Sequence, residues 1–247
     1  MDENIFAQLK MADATVLDAA EEKVDCSNCG RRRRYFCYAC RNYVNGLEKV
    51  MPTVKLPIKI IIIKHRQELD SKSTAIHAAL LAPDDCQIYT FPNIPACHPE
   101  KDLVIFPSKD SMTVDEWAKR VAVAKLAADV TISKQGYAAG HSGHVIFIDS
   151  TWNQIHPIIN SPQLSALPKI ALKNYETQFW RPNGSRRDAS CLATIEAVYY
   201  FLREYHSIYL GLEYKGEYDN LLMIFKYMYL KIRDYHDGGD YLKAYKT

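Results

Sequence analysis

The chain has 247 residues, enough to bury one large core with or without a small module beside it. Its most hydrophobic run, the four isoleucines at residues 60–63, is far too short to cross a bilayer, so we expect no membrane partner. Acidic residues occupy the N-terminus where a secretory signal needs a basic segment and an apolar core, which favours a cytosolic or nuclear protein.

The net charge of +2 hides an uneven distribution along the chain. Residues 1–25 carry seven acidic and two basic side chains, whereas residues 26–72 carry eleven basic and three acidic ones. A basic stretch of this kind is typical of a surface that meets a polyanion, and also of a solvated basic face. Charge alone leaves both interpretations open.

The elements fall into four segments. We interpret residues 1–25 as a helical or disordered leader, residues 26–50 as a cysteine-rich module, and residues 236–247 as a tail. Between them, strand-like and helical patterns alternate over residues 56–235, which predicts an α/β domain with a largely parallel sheet. The predicted strands are 58–63, 87–91, 103–106, 145–148 and 170–172. The predicted helices are 74–81, 114–128, a short one after residue 152, 161–167, 191–206 and 218–235.

Four cysteines in the module form two C-x2-C pairs: Cys26 with Cys29, and Cys37 with Cys40. Paired thiolates at this spacing favour a closed tetrahedral zinc site that is structural rather than catalytic. An iron–sulfur cluster and four unrelated reduced thiols are the alternatives.

Between the two pairs lie four consecutive arginines: Arg31, Arg32, Arg33 and Arg34. Their forked donors suit phosphate groups, and a bound metal would brace the loop that carries them. The alternative is a solvated charged loop.

The predicted strand at 145–148 runs directly into polar residues. Because ligands bind at the carboxyl ends of parallel strands, Asp149 is well placed for chemistry there. The alternative is that Asp149 or Thr151 only caps the following helix. We interpret Trp152, beside the strand end, as a residue that fills the core; the alternative is that it stacks on an aromatic ring of a ligand.

Asp149, Ser150, Thr151 and Trp152 carry the Asp-x-Thr-Trp motif, and with it the chain resembles the DTW-domain family. The resemblance runs from about residue 26 to residue 235 and includes the four cysteines. Further matching segments are 62–65, 72–78, 80–83, 105–107, 179–181, 194–202 and 218–222. Two departures are Arg66, where the family often has proline, and Ala193, where it usually has serine.

The resemblance implies a SPOUT-like α/β fold, with a largely parallel sheet and a knotted C-terminal part that binds S-adenosylmethionine. It implies transfer of the 3-amino-3-carboxypropyl group of that co-substrate to N3 of a uridine. The implied substrate is tRNA, the implied position is uridine 20 of the D-loop, and the implied compartment is the nucleus. A SPOUT-type tRNA methyltransferase and a non-catalytic zinc-ribbon RNA-binding protein are the competing hypotheses.

The resemblance also suggests roles for individual residues. Asp149 would act as the general base that removes the N3 proton. The S-adenosylmethionine site would comprise Phe106, Pro107, Ser108, Asp149, Ser150, Thr151, Trp152, Leu192, Thr194 and Glu196. RNA contacts would come from Arg31, Arg32, Arg33, Arg34, His65 and Arg181. For Glu196, the alternative is an acid that complements the positive end of its own helix; for His65, it is a solvated loop position.

Overall fold

The computed structural model describes residues 6–127, 143–177 and 191–237. Within these ranges the strands are β1 Val24–Asp25, β2 Arg32–Arg33, β3 Phe36–Cys37, β4 Asn42–Tyr43, β5 Lys59–Lys64, β6 Cys86–Thr90, β7 Leu103–Ile105, β8 His144–Asp149 and β9 Lys169–Ile170. The α-helices are α1 Ala75–Leu81, α2 Val114–Ala127, α3 His156–Ile159, α4 Thr194–Glu204 and α5 Met223–Asp237. Short 3-10 helices span Ala14–Ala19, Leu47–Lys49 and Asp219–Leu222, and a π-helical turn, Tyr205–Tyr209, follows α4.

The main sheet has five strands in the order β6-β5-β8-β7-β9, and every neighbouring pair is parallel. This confirms the predicted α/β class. The register pairs Lys64 of β5 with both Thr90 of β6 and Asp149 of β8. The carboxyl ends of three adjacent strands therefore meet at one edge.

The two central strands, β5 and β8, are apolar along their length because both faces of the sheet are covered. On one face, Ile60 and Ile62 pack in the core that includes α1, α4 and α5. On the other face, Ile61 and Ile63 pack in a smaller core that includes residues of α3. This continuous run of β-branched residues is why β5 could be predicted from the sequence.

The predicted helix at 161–167 is wrong. The chain there makes successive turns, in which Ser165 N–H donates to the Ser161 carbonyl and Leu167 N–H donates to the Leu164 carbonyl. The segment spans only seven residues, and Pro168, directly after it, disfavours a helical conformation at Leu167. Only isolated turns are therefore left.

The N-terminal segment packs against the C-terminal helices. Leu17 is fully buried, and the backbone N–H of Lys10 donates a 2.7 Å hydrogen bond to Asp219. The cysteine module reaches the same region, because the hydroxyl groups of Tyr35 and Tyr227 lie 3.2 Å apart. The stability of this module is thereby linked to α5. Among the described residues, no helix is both long and apolar enough to cross a membrane.

Candidate active site and metal centre

A cavity of about 400 Å³ opens at the carboxyl edge of the sheet. Its walls come from the ends of β7 and β8, from the loop before α1, and from the residues that begin α4. A volume of this size is typical of sites that bind a small molecule. Eight of the predicted site residues line it: Phe106, Pro107, Asp149, Ser150, Thr151, Trp152, Leu192 and Thr194.

Asp149 ends β8, and it is only 5% exposed. Its Oδ2 accepts a 2.7 Å hydrogen bond from the Ser73 hydroxyl, and its Oδ1 accepts a 2.6 Å bond from the Thr194 hydroxyl. Burial raises the pKa of Asp149 above its ordinary value, although these two hydrogen bonds act in the opposite direction. The result is a fixed carboxylate that holds a proton more readily than an exposed aspartate.

Both oxygens of Asp149 are therefore engaged by residues from distant segments, and the interpretation of Asp149 as a helix cap is wrong. Thr151 does not cap that helix either, because the N-cap position of α3 is Ile155. Instead, the Thr151 carbonyl accepts the Gln154 N–H at 2.9 Å and thereby forms the turn that follows the strand. Sequence analysis did not identify Ser73, although it lies within one of the family-like segments.

Two charged residues that sequence analysis also missed line the same cavity: Glu68 and Lys72. Burial, together with the nearby Asp149 carboxylate, raises the pKa of Glu68, whereas Lys64 and Lys72 lower it. The cavity thus contains a carboxylate and an ammonium group beside Asp149. The sequence pattern around Glu68 and Lys72 does not indicate this role, because only the fold brings the loop between β5 and α1 to the carboxyl edge of the sheet.

Trp152 does not fill the core, and that interpretation is wrong. Its side chain is 49% exposed at the cavity, and its indole N–H donates to the Cys191 thiol at 3.1 Å. The Phe106 ring lies 6.3 Å from it, centroid to centroid. The strand ends at the open edge of the sheet, so the indole lies beside the cavity rather than beneath it.

Two residues assigned to the S-adenosylmethionine site lie outside the cavity lining. The turn after Pro107 directs Ser108 toward Asp110, whose carboxylate accepts its hydroxyl at 2.8 Å. Glu196 is buried, and its Oε2 accepts the Ala193 N–H at 2.7 Å and the Thr177 hydroxyl at 2.5 Å. It therefore caps the N-terminus of its own helix, as the alternative interpretation stated.

The four cysteines of the module converge. All four Sγ atoms lie within 4.8 Å of one another, and those of Cys29 and Cys37 are 3.6 Å apart. Thiolates bound tetrahedrally to zinc at about 2.3 Å lie about 3.8 Å from each other. The cluster could therefore hold a metal ion, and its donor set fits zinc.

Each C-x2-C pair is followed by a residue in the left-handed region. Gly30 has φ 68° and donates its N–H to the Cys26 carbonyl at 2.8 Å. Arg41 has φ 55° and donates its N–H to the Cys37 carbonyl at 2.7 Å. The two turns are alike, which is how one short module presents two matched pairs of thiols.

The thiol of Cys37 is prepared for ionisation. Burial opposes its charge, but the backbone N–H groups of Cys40 and Ala39 and the Cys29 thiol lower the pKa of Cys37 to about 6. Metal ligands of this type must be deprotonated; the lowered pKa of Cys37 favours this, whereas the hydrogen bond with the Cys29 thiol raises the pKa of Cys40 to about 12.

The four consecutive arginines differ in their surroundings. Arg31 and Arg32 are exposed, and Arg32 also donates to the Lys23 carbonyl. Arg33 lies over the Tyr38 ring, and Arg34 donates from Nε to the Ala20 carbonyl at 2.7 Å. Arg33 and Arg34 therefore contribute to the structure of the module.

The other two predicted RNA-binding residues are His65 and Arg181. His65 packs its ring parallel to that of Phe91, with centroids 6.3 Å apart, and donates its backbone N–H to the Asp149 carbonyl. Arg181 lies outside the described residues.

The protein is thus an α/β protein with a parallel sheet, a buried aspartate at the carboxyl edge of that sheet, and a four-cysteine module. Residues 34–233 match the DTW domain, and the chain belongs to the DTW-domain family.

Relatives from three organisms resemble the chain over nearly its whole length, and each is named tRNA-uridine aminocarboxypropyltransferase 1. The Xenopus laevis protein is 36% identical, over 95% of this chain and 89% of its own. The Mus musculus and Homo sapiens proteins are also 36% identical, over 98% and 96% of this chain and 88% and 87% of their own. No solved structure matches the chain.

Proposed function

We propose that this protein is a transferase that moves the 3-amino-3-carboxypropyl group of S-adenosylmethionine to N3 of a uridine in tRNA. The observation that carries this proposal is Asp149, a buried carboxylate with a raised pKa that faces a cavity large enough for a small molecule. The names of the relatives support the reaction type and the tRNA substrate.

In the proposed step, a bond forms between uridine N3 and the γ-carbon of the methionine moiety. The bond between that carbon and the sulfonium sulfur breaks, and its electron pair goes to sulfur, so that methylthioadenosine leaves. The N3 proton goes to Asp149 and then to water. Since the sulfonium carries its own leaving group, the protein has to align the reactants and remove the proton.

Asp149 suits the role of general base for two reasons. A carboxylate has about four lone-pair positions, so the bonds from Ser73 and Thr194 leave room for a further donor, the N3–H. Its raised pKa also makes it a stronger base than an exposed aspartate. The two hydroxyl groups hold the carboxylate in one orientation.

The other cavity residues suit the donor. Glu68 and Lys72 offer opposite charges, which complement the α-amine and the α-carboxylate of the methionine moiety. Phe106, Trp152 and Leu172 line the cavity with aromatic and apolar surface, which suits the adenine ring. This assignment places the amino-acid end near Asp149, where the transferred carbon has to be.

Finer features extend the proposal. The strand order, in which β5 lies beside β8 and β7 beside β9, is compatible with a SPOUT-like fold with a knotted C-terminal part. The donor set of the four cysteines supports structural zinc. The resemblance to the family suggests uridine 20 of the D-loop as the target and the nucleus as the compartment. A loop position fits the chemistry, because N3 lies on the Watson–Crick edge and must be unpaired.

Mass spectrometry of nucleosides tests the reaction. The purified protein is incubated with S-adenosylmethionine and unmodified tRNA, and the tRNA is then digested. We expect a uridine that carries the whole aminocarboxypropyl fragment. A methylated nucleoside would instead establish the methyltransferase, and unmodified tRNA that is nevertheless bound would establish the RNA-binding protein.

A further inference from the structure

A second cleft opens at the same edge of the sheet as the cavity of Asp149, with a volume of about 160 Å³. Lys64 and Thr90, the last residues of β5 and β6, contribute to its wall. Tyr38 and Arg41, from the second C-x2-C turn of the cysteine module, contribute another part. The cleft therefore lies where the module meets the sheet, and neither part could form it alone.

The cleft carries fixed positive charge. Lys64 is only 15% exposed and is held by an ion pair of 3.0 Å with Asp70 and by a 2.6 Å bond from Nζ to the Glu68 carbonyl. Arg41 is exposed, and no carboxylate in residues 6–127, 143–177 or 191–237 forms an ion pair with it. With Asp70 also in the wall, the charged lining residues leave a net charge of +1, which matches one phosphodiester.

One side chain connects the cleft to the proposed reaction site. Ser73 lines the cleft, and its hydroxyl donates directly to Asp149, which lines the cavity. Only the side chain of Ser73 would therefore separate a group bound in the cleft from Asp149, the proposed base. Such a group is expected to belong to the same substrate molecule as the reacting uridine.

We propose that this cleft binds a phosphodiester of the tRNA that flanks the target uridine, with Arg41 as its principal ligand. The inference rests on the proposed function, which it extends by naming where the substrate backbone lies. Arginine suits the role because its fork can bind two phosphate oxygens. Tyr38 and Thr90 add hydroxyl groups to the same wall.

The proposal also gives the metal-binding turn a function. The left-handed conformation of Arg41 and its N–H bond to the Cys37 carbonyl fix the backbone from which the guanidinium extends. The module would thus direct one cation toward the active edge, in addition to the basic loop between its cysteine pairs. The four consecutive arginines of that loop stand out in the sequence, whereas the single Arg41 does not.

The experiment uses the full protein and a tRNA that has one neutral methylphosphonate in place of the phosphate on the 5′ or the 3′ side of the target uridine. We expect Arg41→Gln to raise the KM for unmodified tRNA about tenfold and to reduce the salt slope of tRNA binding by about one. At one of the two positions, the methylphosphonate should raise the KM of the wild-type protein but not that of the variant. Arg120→Gln, at an exposed position of α2, makes the same charge change outside both cavities and should behave like the wild type.

The proposal is overturned if Arg41→Gln behaves like Arg120→Gln. It is also overturned if the variant and the methylphosphonate raise the KM independently at both positions, so that their fold-changes multiply. If the wild-type protein binds tRNA but transfers nothing, the proposed function fails separately, and the same comparison is made with Kd values. In that case, two results still support phosphate binding in the cleft. The salt slope of tRNA binding is lower by about one in Arg41→Gln, and at one of the two positions the methylphosphonate raises the Kd of the wild type but not that of the variant. A wild-type protein that does not bind tRNA overturns both.

Discussion

Thr194, the first residue of α4, donates a 2.6 Å hydrogen bond to Asp149, the last residue of β8, although 45 positions separate them. Ser73 makes the matching bond to the other oxygen from a third segment. The carboxylate is therefore held from both sides by groups that the fold brings together. In the proposed reaction, this fixed orientation aligns the base with the N3–H.

Removal of one supporting hydroxyl tests this arrangement. We expect Ser73→Ala to lower kcat about tenfold, because the carboxylate loses part of its orientation. The lost hydrogen bond lowers the pKa of Asp149 in the wild type, so its removal raises that pKa further. The acidic limb of the pH profile of kcat should then move to higher pH. Ser73→Thr keeps a hydroxyl and serves as the matched control; an acidic limb that does not move in Ser73→Ala would contradict the positioning role.

Asp149 should also reduce stability at neutral pH. Its folded-state pKa is raised, so the folded protein binds this proton more tightly than the unfolded chain does, and ionisation costs stability. We expect Asp149→Asn to unfold at a higher urea concentration than the wild type at pH 7. The difference should shrink as the pH falls through the folded-state pKa and vanish below the unfolded value of about 3.9. An Asn variant that is less stable than the wild type at pH 7 would contradict this account.

The four-cysteine centre predicts a specific loss of metal. We expect Cys37→Ser to release stoichiometric zinc and to lower the melting temperature of the whole protein, because the module packs against α5 through Tyr35 and Tyr227. Metal content is measured by mass spectrometry of the purified protein. Cys97→Ser alters a cysteine outside the cluster and should keep the zinc. Retention of one zinc per chain in Cys37→Ser would show that the four-thiolate site is wrong.

The arginine loop should divide into two kinds of residue. Arg31 is exposed, so we expect Arg31→Gln to weaken tRNA binding and to reduce its salt slope by about one without loss of stability. Arg34 bonds the Ala20 carbonyl, so Arg34→Gln should lower the melting temperature. Both variants remove one charge, and each is the control for the other. Equal melting temperatures in the two variants would contradict this division.

The strands could be predicted well from the local sequence, because a continuous run of apolar residues indicates a strand that is buried on both faces of the sheet. Residues 60–63 are four consecutive isoleucines, and a buried parallel strand accounts for them directly. The four-cysteine cluster was predictable for a similar reason, since the spacing within each pair fixes a tight turn. The prediction of a helix at 161–167 failed because the apolar pattern there spans only seven residues and Pro168, directly after it, disfavours a helical conformation at Leu167.

The predicted cavity was incomplete because its parts come from distant segments. Ser73 and Asp149 are 76 positions apart, and no local pattern links them. Glu68 and Lys72 resemble any charged loop residues until the loop is placed beside β8. Glu196 was ambiguous for the opposite reason: two roles fit the same position, and only the Ala193 N–H bond decides between them.

The most direct test of the central claim is the single-turnover rate of aminocarboxypropyl transfer to tRNA by the wild type and by Asp149→Asn, at saturating S-adenosylmethionine. Binding of the co-substrate is measured separately by calorimetry. The account predicts that the variant still binds S-adenosylmethionine but transfers at least about a hundredfold more slowly, because the general base is lost. Transfer at the wild-type rate by Asp149→Asn would contradict it.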